Sequence, residues 1–390
     1  MDLLALFLRD PRRAAIALTF AIHGSVVGSV FSRLAELRLA MGLSEAELGV
    51  ALIGLPAGVF TGSLVVRRYI ERHGTRAALL VALPCFAAAL VLTSFATGQA
   101  TLFGVLILYG FALTSCNISM NVEADRVEAA TGKRLINRCH GTWGLGFLFA
   151  SLIGTLAVAA GIPPRWHFIG VLIFVSAATF LIVGPMQPSP PRAHSGAVAA
   201  RRLALPTVGV LLVLGYACAG VWLEGSARNW SVIYLREDFD AAAWVATLTL
   251  PAIVGAQITG RFLADTFIDR FGPVAVGIAL SIVSLAGLAL VVAAPTVAVA
   301  LVGFALVGLG ISTTHPQALS AAARLGDRPA SQNVAALSTI QTVISFVAPP
   351  IFGFVASRYG IQVSFAILLP LPIIAIFFAR FLAPRQNAPR

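Results

Sequence analysis

Long apolar runs alternate with short polar turns along the whole chain. A membrane-spanning helix needs about 20 apolar residues, and runs of this length are too long and too continuous for the alternating strands of a β-barrel. We predict twelve spanning helices, at 13–36, 46–69, 76–96, 101–123, 138–160, 165–185, 205–232, 242–264, 273–293, 296–318, 333–356 and 362–382. Prolines inside these runs are predicted to kink the helices, namely Pro56, Pro84, Pro251, Pro316, Pro349 and Pro350.

A short charged turn occurs twice. Glu71-Arg72-His73-Gly74 lies between the second and third runs, and Asp269-Arg270-Phe271-Gly272 lies between the eighth and ninth. The two copies are 198 residues apart, about half the chain, and Gly110 matches Gly308 at the same offset. Two similar helix bundles in tandem are typical of transporters whose halves rock against each other.

The longest polar interruption lies at the midpoint. Residues 187–203 are rich in Pro, Ser, Gly and Arg and are too short to form a domain. We interpret this segment as a cytoplasmic linker between bundles at 1–186 and 204–390. The predicted fold class is therefore all-α, a polytopic membrane protein of two pseudo-symmetric six-helix bundles.

The composition predicts that the lipid bilayer is a partner of this chain. Hydrophobic residues make up 58% of the chain and charged residues 11%, against about 25% charged in soluble domains. The net charge of +11 does not indicate nucleic-acid binding, because the cations, only one of them a lysine, form no basic stripe.

Basic residues at the ends of spans indicate topology. With the N-terminus in the cytoplasm, 21 of the 27 Lys and Arg residues fall in inner segments and 6 in outer ones. The positive-inside rule then places both termini of this multi-pass protein in the cytoplasm. Arg261 is counted here among the inner residues.

Twelve spans in two halves, with the repeated turn, resemble the major facilitator superfamily. The family turn reads Gly-x-x-x-Asp-Arg-x-Gly-x-Arg/Lys. Glu71 to Arg76 keeps the acid, the first Arg, the Gly and the final Arg, but Arg67 and Asp265 stand where each copy should begin with Gly.

Other runs resemble a bacterial subgroup related to rhizopine-transport and fucose-permease-like carriers. They are Asn121-Val122-Glu123 with Glu128, His140-Gly141-Thr142-Trp143, Glu224-Gly225-Ser226 with Asn229-Trp230-Ser231, and Tyr234-Leu235-Arg236. The resemblance covers nearly the whole chain and implies the fold more strongly than any substrate.

Ionisable residues inside spans are costly and are functional candidates by default. Glu224, in the seventh span, is predicted to couple transport to protons, and the alternative is a structural ion pair with Arg228 one turn on. His23, in the first span, is predicted to line the cavity and to carry or relay a proton, since histidine titrates near physiological pH. A neutral His23 bonded to a neighbouring helix is the other interpretation.

Polar and aromatic residues in other spans are predicted to line a substrate cavity. The set is His23, Asn117, Asn121, His140, Trp143, Trp222, Glu224, Gln257, His315, Asn333 and Gln341. Amides and imidazoles both donate and accept hydrogen bonds, which suits hydroxyl-rich or zwitterionic solutes, and Trp rings suit sugar-like ones. Helix-to-helix hydrogen bonding explains the same residues.

A second set of charges is predicted to form a cytoplasmic gate through ion pairs and helix-terminus interactions. It comprises Glu71, Arg72, Arg76, Glu123, Arg126, Arg138, Asp265, Asp269 and Arg270.

Together these features predict a proton-coupled transporter of a small polar solute, with sugar- and polyol-like compounds as the candidates. It would work as a monomer by rocker-switch alternating access and would need no cofactor or metal. The alternative is a proton-antiport exporter of drugs or metabolites. The sequence lacks a Walker A motif, which argues against an ATPase, and it lacks His-Glu-x-x-His and Gly-x-Ser-x-Gly motifs, which argues against a membrane enzyme. A transporter-like sensor would usually add a soluble signalling domain, and no segment of this sequence fits one.

Overall fold

The computed structural model describes residues 10–132, 135–187 and 205–383, and these residues form helices and turns without strands. The helices are α1 Pro11–Ala40, α2 Glu45–Leu52, α3 Gly54–Thr93, α4 Gln99–Thr131, α5 Ile136–Ala159, α6 Pro164–Ile182, α7 Val208–Glu237, α8 Ala243–Thr247, α9 Thr249–Val292, α10 Val297–Ile311, α11 Thr314–Ala323, α12 Ala330–Tyr359, α13 Ile361–Ala366, α14 Pro370–Phe378 and a final 3-10 turn Ala379–Leu382. The all-α prediction is confirmed.

Local sequence signals set many of the helix ends. Asp10 caps α1 ahead of Pro11 by accepting from the Arg12 amide at 3.1 Å, and Ser44 forms a reciprocal capping box with Glu47 before α2. Gly132 ends α4 in a left-handed conformation, with φ 65°. Such caps satisfy backbone groups that the helix itself leaves free.

Ten helical stretches within the described residues are long and apolar enough to cross a membrane. Two of them, Glu45–Thr93 and Ala243–Val292, have 49 and 50 residues, about twice the length that one span needs. Each bends at a glycine with positive φ, Gly74 in α3 and Gly272 in α9. Each therefore carries two spans, which agrees with the twelve predicted.

The chain divides into two compact units, Met1–Ser195 and Gly196–Arg390. The predicted linker lies outside the described residues except for Gln187, so the boundaries at 186 and 204 stay predictions.

Equivalent glycines allow close helix packing in each unit. A Cβ added to Gly110 in α4 would lie 2.1 Å from the Leu55 carbonyl oxygen of α3. A Cβ added to Gly308 in α10 would lie 2.2 Å from the Ile253 carbonyl oxygen of α9. The predicted match of Gly110 with Gly308 thus extends to the atoms that each glycine contacts, because Leu55 and Ile253 are also 198 residues apart.

The prolines that were predicted to kink helices lie at three kinds of position. Pro84 and the Pro349-Pro350 pair lie inside α3 and α12. Pro56 and Pro251 lie in the first turns of α3 and α9, where an amide has no partner within the helix. Pro316 follows the interruption between α10 and α11.

Candidate functional site

Glu224 lies in an ion-paired cluster between α7 and α9. Arg228, one turn along α7, contacts Glu224 Oε1 through Nη2 at 2.5 Å. Gln257 of α9 donates from Nε2 to the same oxygen at 3.0 Å, and Arg228 Nη2 donates to Gln257 Oε1 at 3.4 Å. The ion pair expected as the alternative is present, and it belongs to a network that joins two helices.

Arg261 extends this cluster to the broken helix α10–α11. A proline removes the hydrogen bond to the carbonyl four residues before it, so Pro316 leaves the Ser312 carbonyl without its helical donor. Arg261 Nε donates to that oxygen at 3.1 Å. Arg261 and His315 both interact electrostatically with Glu224.

The structure therefore brings together three of the predicted cavity residues, Glu224, Gln257 and His315. The sequence interpretation gave Arg261 no place in a site, because it was counted as a topology signal. Pro316 marks the carbonyl that needs a donor, but only the fold shows that Arg261 supplies it.

The cluster combines a titratable acid with permanently charged groups. It holds one carboxylate and two guanidinium groups inside the apolar helices. Within the described ranges, no group of His, Cys, Asp or Glu residues is arranged to hold a metal ion.

His23 is buried in α1, with 1% of its surface exposed. The Trp143 indole Nε1 donates to His23 Nδ1 at 2.9 Å, and His23 Nε2 lies 3.2 Å from the Leu113 carbonyl oxygen. Indole nitrogen only donates, so Nδ1 is the acceptor and Nε2 carries the hydrogen. His23 is neutral in this arrangement, and it also stacks on Phe86. Its predicted cavity and proton roles stay predictions.

The remaining cavity candidates lie in several places. Asn121 donates from Nδ2 to the Asn117 side-chain oxygen at 2.9 Å, so the predicted shared face of α4 is present. His140 is exposed and packs edge-on to Phe20. Buried nitrogens without a hydrogen-bond partner occur in two candidates, as Trp222 Nε1 and Gln341 Nε2.

Asn333 lies apart from the Glu224 cluster. From the first turn of α12, it donates from Nδ2 to Asp327 Oδ1 at 2.6 Å and accepts from Arg328 Nε at 2.5 Å, and both partners lie in the turn between α11 and α12. Hydrogen bonds from Asn333 and Thr207 hold the pKa of Asp327 below its usual value. Asn333 therefore orders a turn in this structure.

The charged turn at Gly74 makes its contacts within the first unit. Glu71 accepts from Arg67 Nε at 3.0 Å, on an exposed face. Arg76 donates through Nε and Nη2 to the Gly184 carbonyl oxygen, beyond the end of α6. Arg72 is exposed. Arg76 therefore ties the bend to the residues that follow α6.

Glu123 and Arg126 of α4 meet the same bend through Thr75, a residue that the sequence did not single out. The Thr75 hydroxyl donates to buried Glu123, Arg126 Nη1 lies 3.9 Å from Glu123 Oε2, and Arg126 Nη1 donates to the Thr75 hydroxyl at 3.4 Å. Arg138 is exposed at the start of α5.

The matching turn in the second unit carries exposed charges. Asp265, Asp269 and Arg270 are exposed on α9, and Arg270 lies over the Phe271 ring, with Cζ 5.2 Å from its centre. Neither aspartate forms an ion pair with another described residue.

Sequence comparison matches residues 14–349 to the Major Facilitator Superfamily. The chain is 26% identical over 359 residues to an uncharacterized transporter, y4wD, of Sinorhizobium fredii, covering 90% of this chain and 93% of the relative. It is 25% identical to membrane protein MosC of Rhizobium meliloti, covering 94% of this chain and 90% of that protein.

Solved structures with similar folds include two transporters. The nucleoside transporter NupG superposes with a TM-score of 0.72 at 14% identity, covering 95% of this chain and 98% of that one. A D-xylose-proton symporter superposes with a TM-score of 0.72 at 16% identity, covering 94% of this chain and 96% of that one. At these identities the likeness establishes the fold alone.

Proposed function

The chain belongs to the major facilitator superfamily and is therefore a multi-pass membrane transporter and not an enzyme, and we propose that it takes up a small polar solute together with a proton. The excess of Lys and Arg in alternate segments supports cytoplasmic termini in a bacterial inner membrane. Each chain has two bundles, so a single copy is the proposed working unit, operating by alternating access.

The Glu224 cluster carries the proton proposal. Among the described residues, Arg228 and Gln257 both contact this carboxylate at Oε1, so Oε2 is the oxygen to which we assign the added proton. Glu224 keeps 27% of its side chain exposed, so a proton has access. Protonation removes the negative charge that holds Arg228 and Gln257, and it thereby changes the contacts between α7 and α9.

This coupling gives the Glu224–Arg228 ion pair a part in transport. With Glu224 charged, the pair is formed; with Glu224 protonated, the site around Arg228 and Arg261 loses one negative charge and becomes more positive. The solute and the proton then act on the same residues, which couples their binding.

The first step of the test is to identify a ligand. Purified full-length protein is screened by thermal shift against sugars, polyols, amino acids and drugs at two pH values, because a ligand that binds only the folded protein raises the melting temperature. The ligand found is then labelled and followed in proteoliposomes with an imposed pH gradient.

Glu224→Gln is expected to abolish gradient-driven accumulation while preserving exchange of the labelled ligand. Glu237→Gln, an exposed position at the end of the same helix, serves as the control and is expected to accumulate the ligand like the wild type. Undiminished accumulation by Glu224→Gln refutes the proton role. Accumulation that requires the opposite gradient identifies the antiport exporter instead.

A further inference from the structure

The Glu224 cluster has an excess of positive charge. Arg228 and Arg261 contribute two positive charges and Glu224 one negative charge, so the formal charge is +1 when His315 is neutral and +2 when it is protonated. A charge inside a span is costly. An unbalanced cation at that cost is explained when a ligand supplies the missing negative charge.

Arg261 is a cation of this cluster that forms no ion pair with any described residue. Its Nε donates to the Ser312 carbonyl oxygen. Its two terminal nitrogens make no hydrogen bond to any described residue, and they are not completely buried. Asp265 lies one turn along α9 but forms no ion pair with Arg261 within the described part of the chain. The two terminal nitrogens are therefore available to a ligand.

The backbone contact also restrains the guanidinium. Because Nε is bonded to the carbonyl released by Pro316, the flexible side chain is already ordered before a ligand arrives. Two parallel N–H donors on a planar group match the two oxygens of a carboxylate, and less freedom is lost on binding when the group is held in advance.

We propose that the solute is a small organic monoanion whose carboxylate binds the terminal nitrogens of Arg261. With Glu224 charged and His315 neutral, a single negative charge balances the +1 of the cluster. In that state a phosphate ester, which carries close to two negative charges at neutral pH, would leave the site with an excess of negative charge. The inference deepens the proposed function and rests on it for the identity of the transport site.

The proton and the anion assist each other at this site. The charged groups around Glu224 are Arg228 on its own helix, Arg261 on α9 and His315 on α11, with Gln257 as a neutral donor. A proton on Glu224 raises the positive charge facing the anion, and a bound anion favours that proton by the same factor. One monoanion and one proton together carry no net charge.

Equilibrium binding to the purified full-length protein tests the proposal without requiring transport. Matched probes differ only in the charged group: gluconate against sorbitol, glucuronate against glucose, and acetate against acetamide, with glucose 6-phosphate as the phosphate arm. At about ten times its Kd, a carboxylate probe is expected to raise the Tm by about 1–3 °C, and its neutral partner is expected to have a smaller effect.

The variants assign that shift to one side chain. Arg261→Gln is expected to lose the carboxylate-specific shift, with Kd raised at least about tenfold. Arg261→Lys keeps the charge without the fork and is expected to bind with intermediate affinity, which provides a readout if the Gln variant does not fold. Arg358→Gln, an exposed position on the last turn of α12, removes one charge from the same unit and is expected to retain the full shift.

Several results would overturn the inference. They are equal stabilisation by the neutral partners, stronger stabilisation by the phosphate ester, no carboxylate-specific shift in any pair, or a shift that Arg261→Gln retains. None of these results depends on proton movement, so the proton-coupled function could still hold for a neutral solute.

Discussion

Gly74 and Gly272 hold nearly the same backbone conformation, with φ 81° and ψ 166° at the first and φ 80° and ψ 159° at the second. They are 198 residues apart and end the two copies of the charged turn. This region of backbone space is essentially restricted to glycine. The sequence repeat therefore reflects a repeated bend, which turns each long helix into two spans.

Replacing either glycine should destabilise the protein. Gly74→Ala and Gly272→Ala are each expected to lower the free energy of unfolding by about 1–3 kcal/mol, because alanine is strained at this conformation. Gly104→Ala is the matched control, since its added Cβ meets no atom within 4 Å in α4. Denaturant unfolding in detergent measures the difference, and equal stability of the three variants would show that the bend is not strained.

The His23–Trp143 bond should contribute to stability and not to coupling. Trp143→Phe removes the donor to Nδ1 and is expected to cost about 0.5–1.5 kcal/mol. His23→Gln keeps an acceptor and a donor, and it should preserve accumulation driven by a pH gradient. Proteoliposome uptake measures this beside Glu224→Gln. If His23→Gln loses accumulation but retains exchange, His23 carries the proton.

The acid of the second charged turn is predicted to stabilise the state closed to the cytoplasm. Asp269→Asn is expected to lower the transport rate by up to about fivefold, the range of a surface ion pair of about 1 kcal/mol or less. Asp240→Asn is the control at an exposed position with φ 49°, which asparagine tolerates. Rates are compared at equal expression, and a wild-type rate for Asp269→Asn would remove it from the gate.

The turn between α11 and α12 should lose stability in acid. The pKa of Asp327 is lowered because Asn333 and Thr207 donate hydrogen bonds to its carboxylate. A lowered folded-state pKa means that the stabilisation is present above the unfolded value of about 3.8 and is lost as the pH falls through the folded-state pKa. Stability measured from pH 6 to 3 should therefore fall more steeply for the wild type than for Asp327→Asn. Parallel curves would contradict this.

The spans could be predicted because apolar length and charge position are properties of the chain itself. Their ends were less predictable. Helix α4 continues to Thr131, beyond the predicted end at 123, because the charged residues after Glu123 continue the helix until Gly132 ends it. A hydrophobic pattern marks where lipid contact stops and not where helical hydrogen bonding stops.

The candidate site was predictable only in part. Glu224 and Arg228 are one turn apart, so their pairing follows from helical spacing. The meeting of Gln257 and Arg261 with that pair depends on how α9 packs on α7 and α10, which no local pattern encodes. Asn333 shows the converse, since a polar residue within an apolar run proved to bond to the adjacent turn.

The bond from Arg261 to the Ser312 carbonyl has a mechanical consequence. The interruption between α10 and α11 is bridged there by a side chain from another helix, and a side chain can move when a ligand binds it. A ligand that binds the same guanidinium acts directly on its hydrogen bond to the Ser312 carbonyl oxygen. Ligand binding would then change the contact at the break between α10 and α11 without any intervening residues.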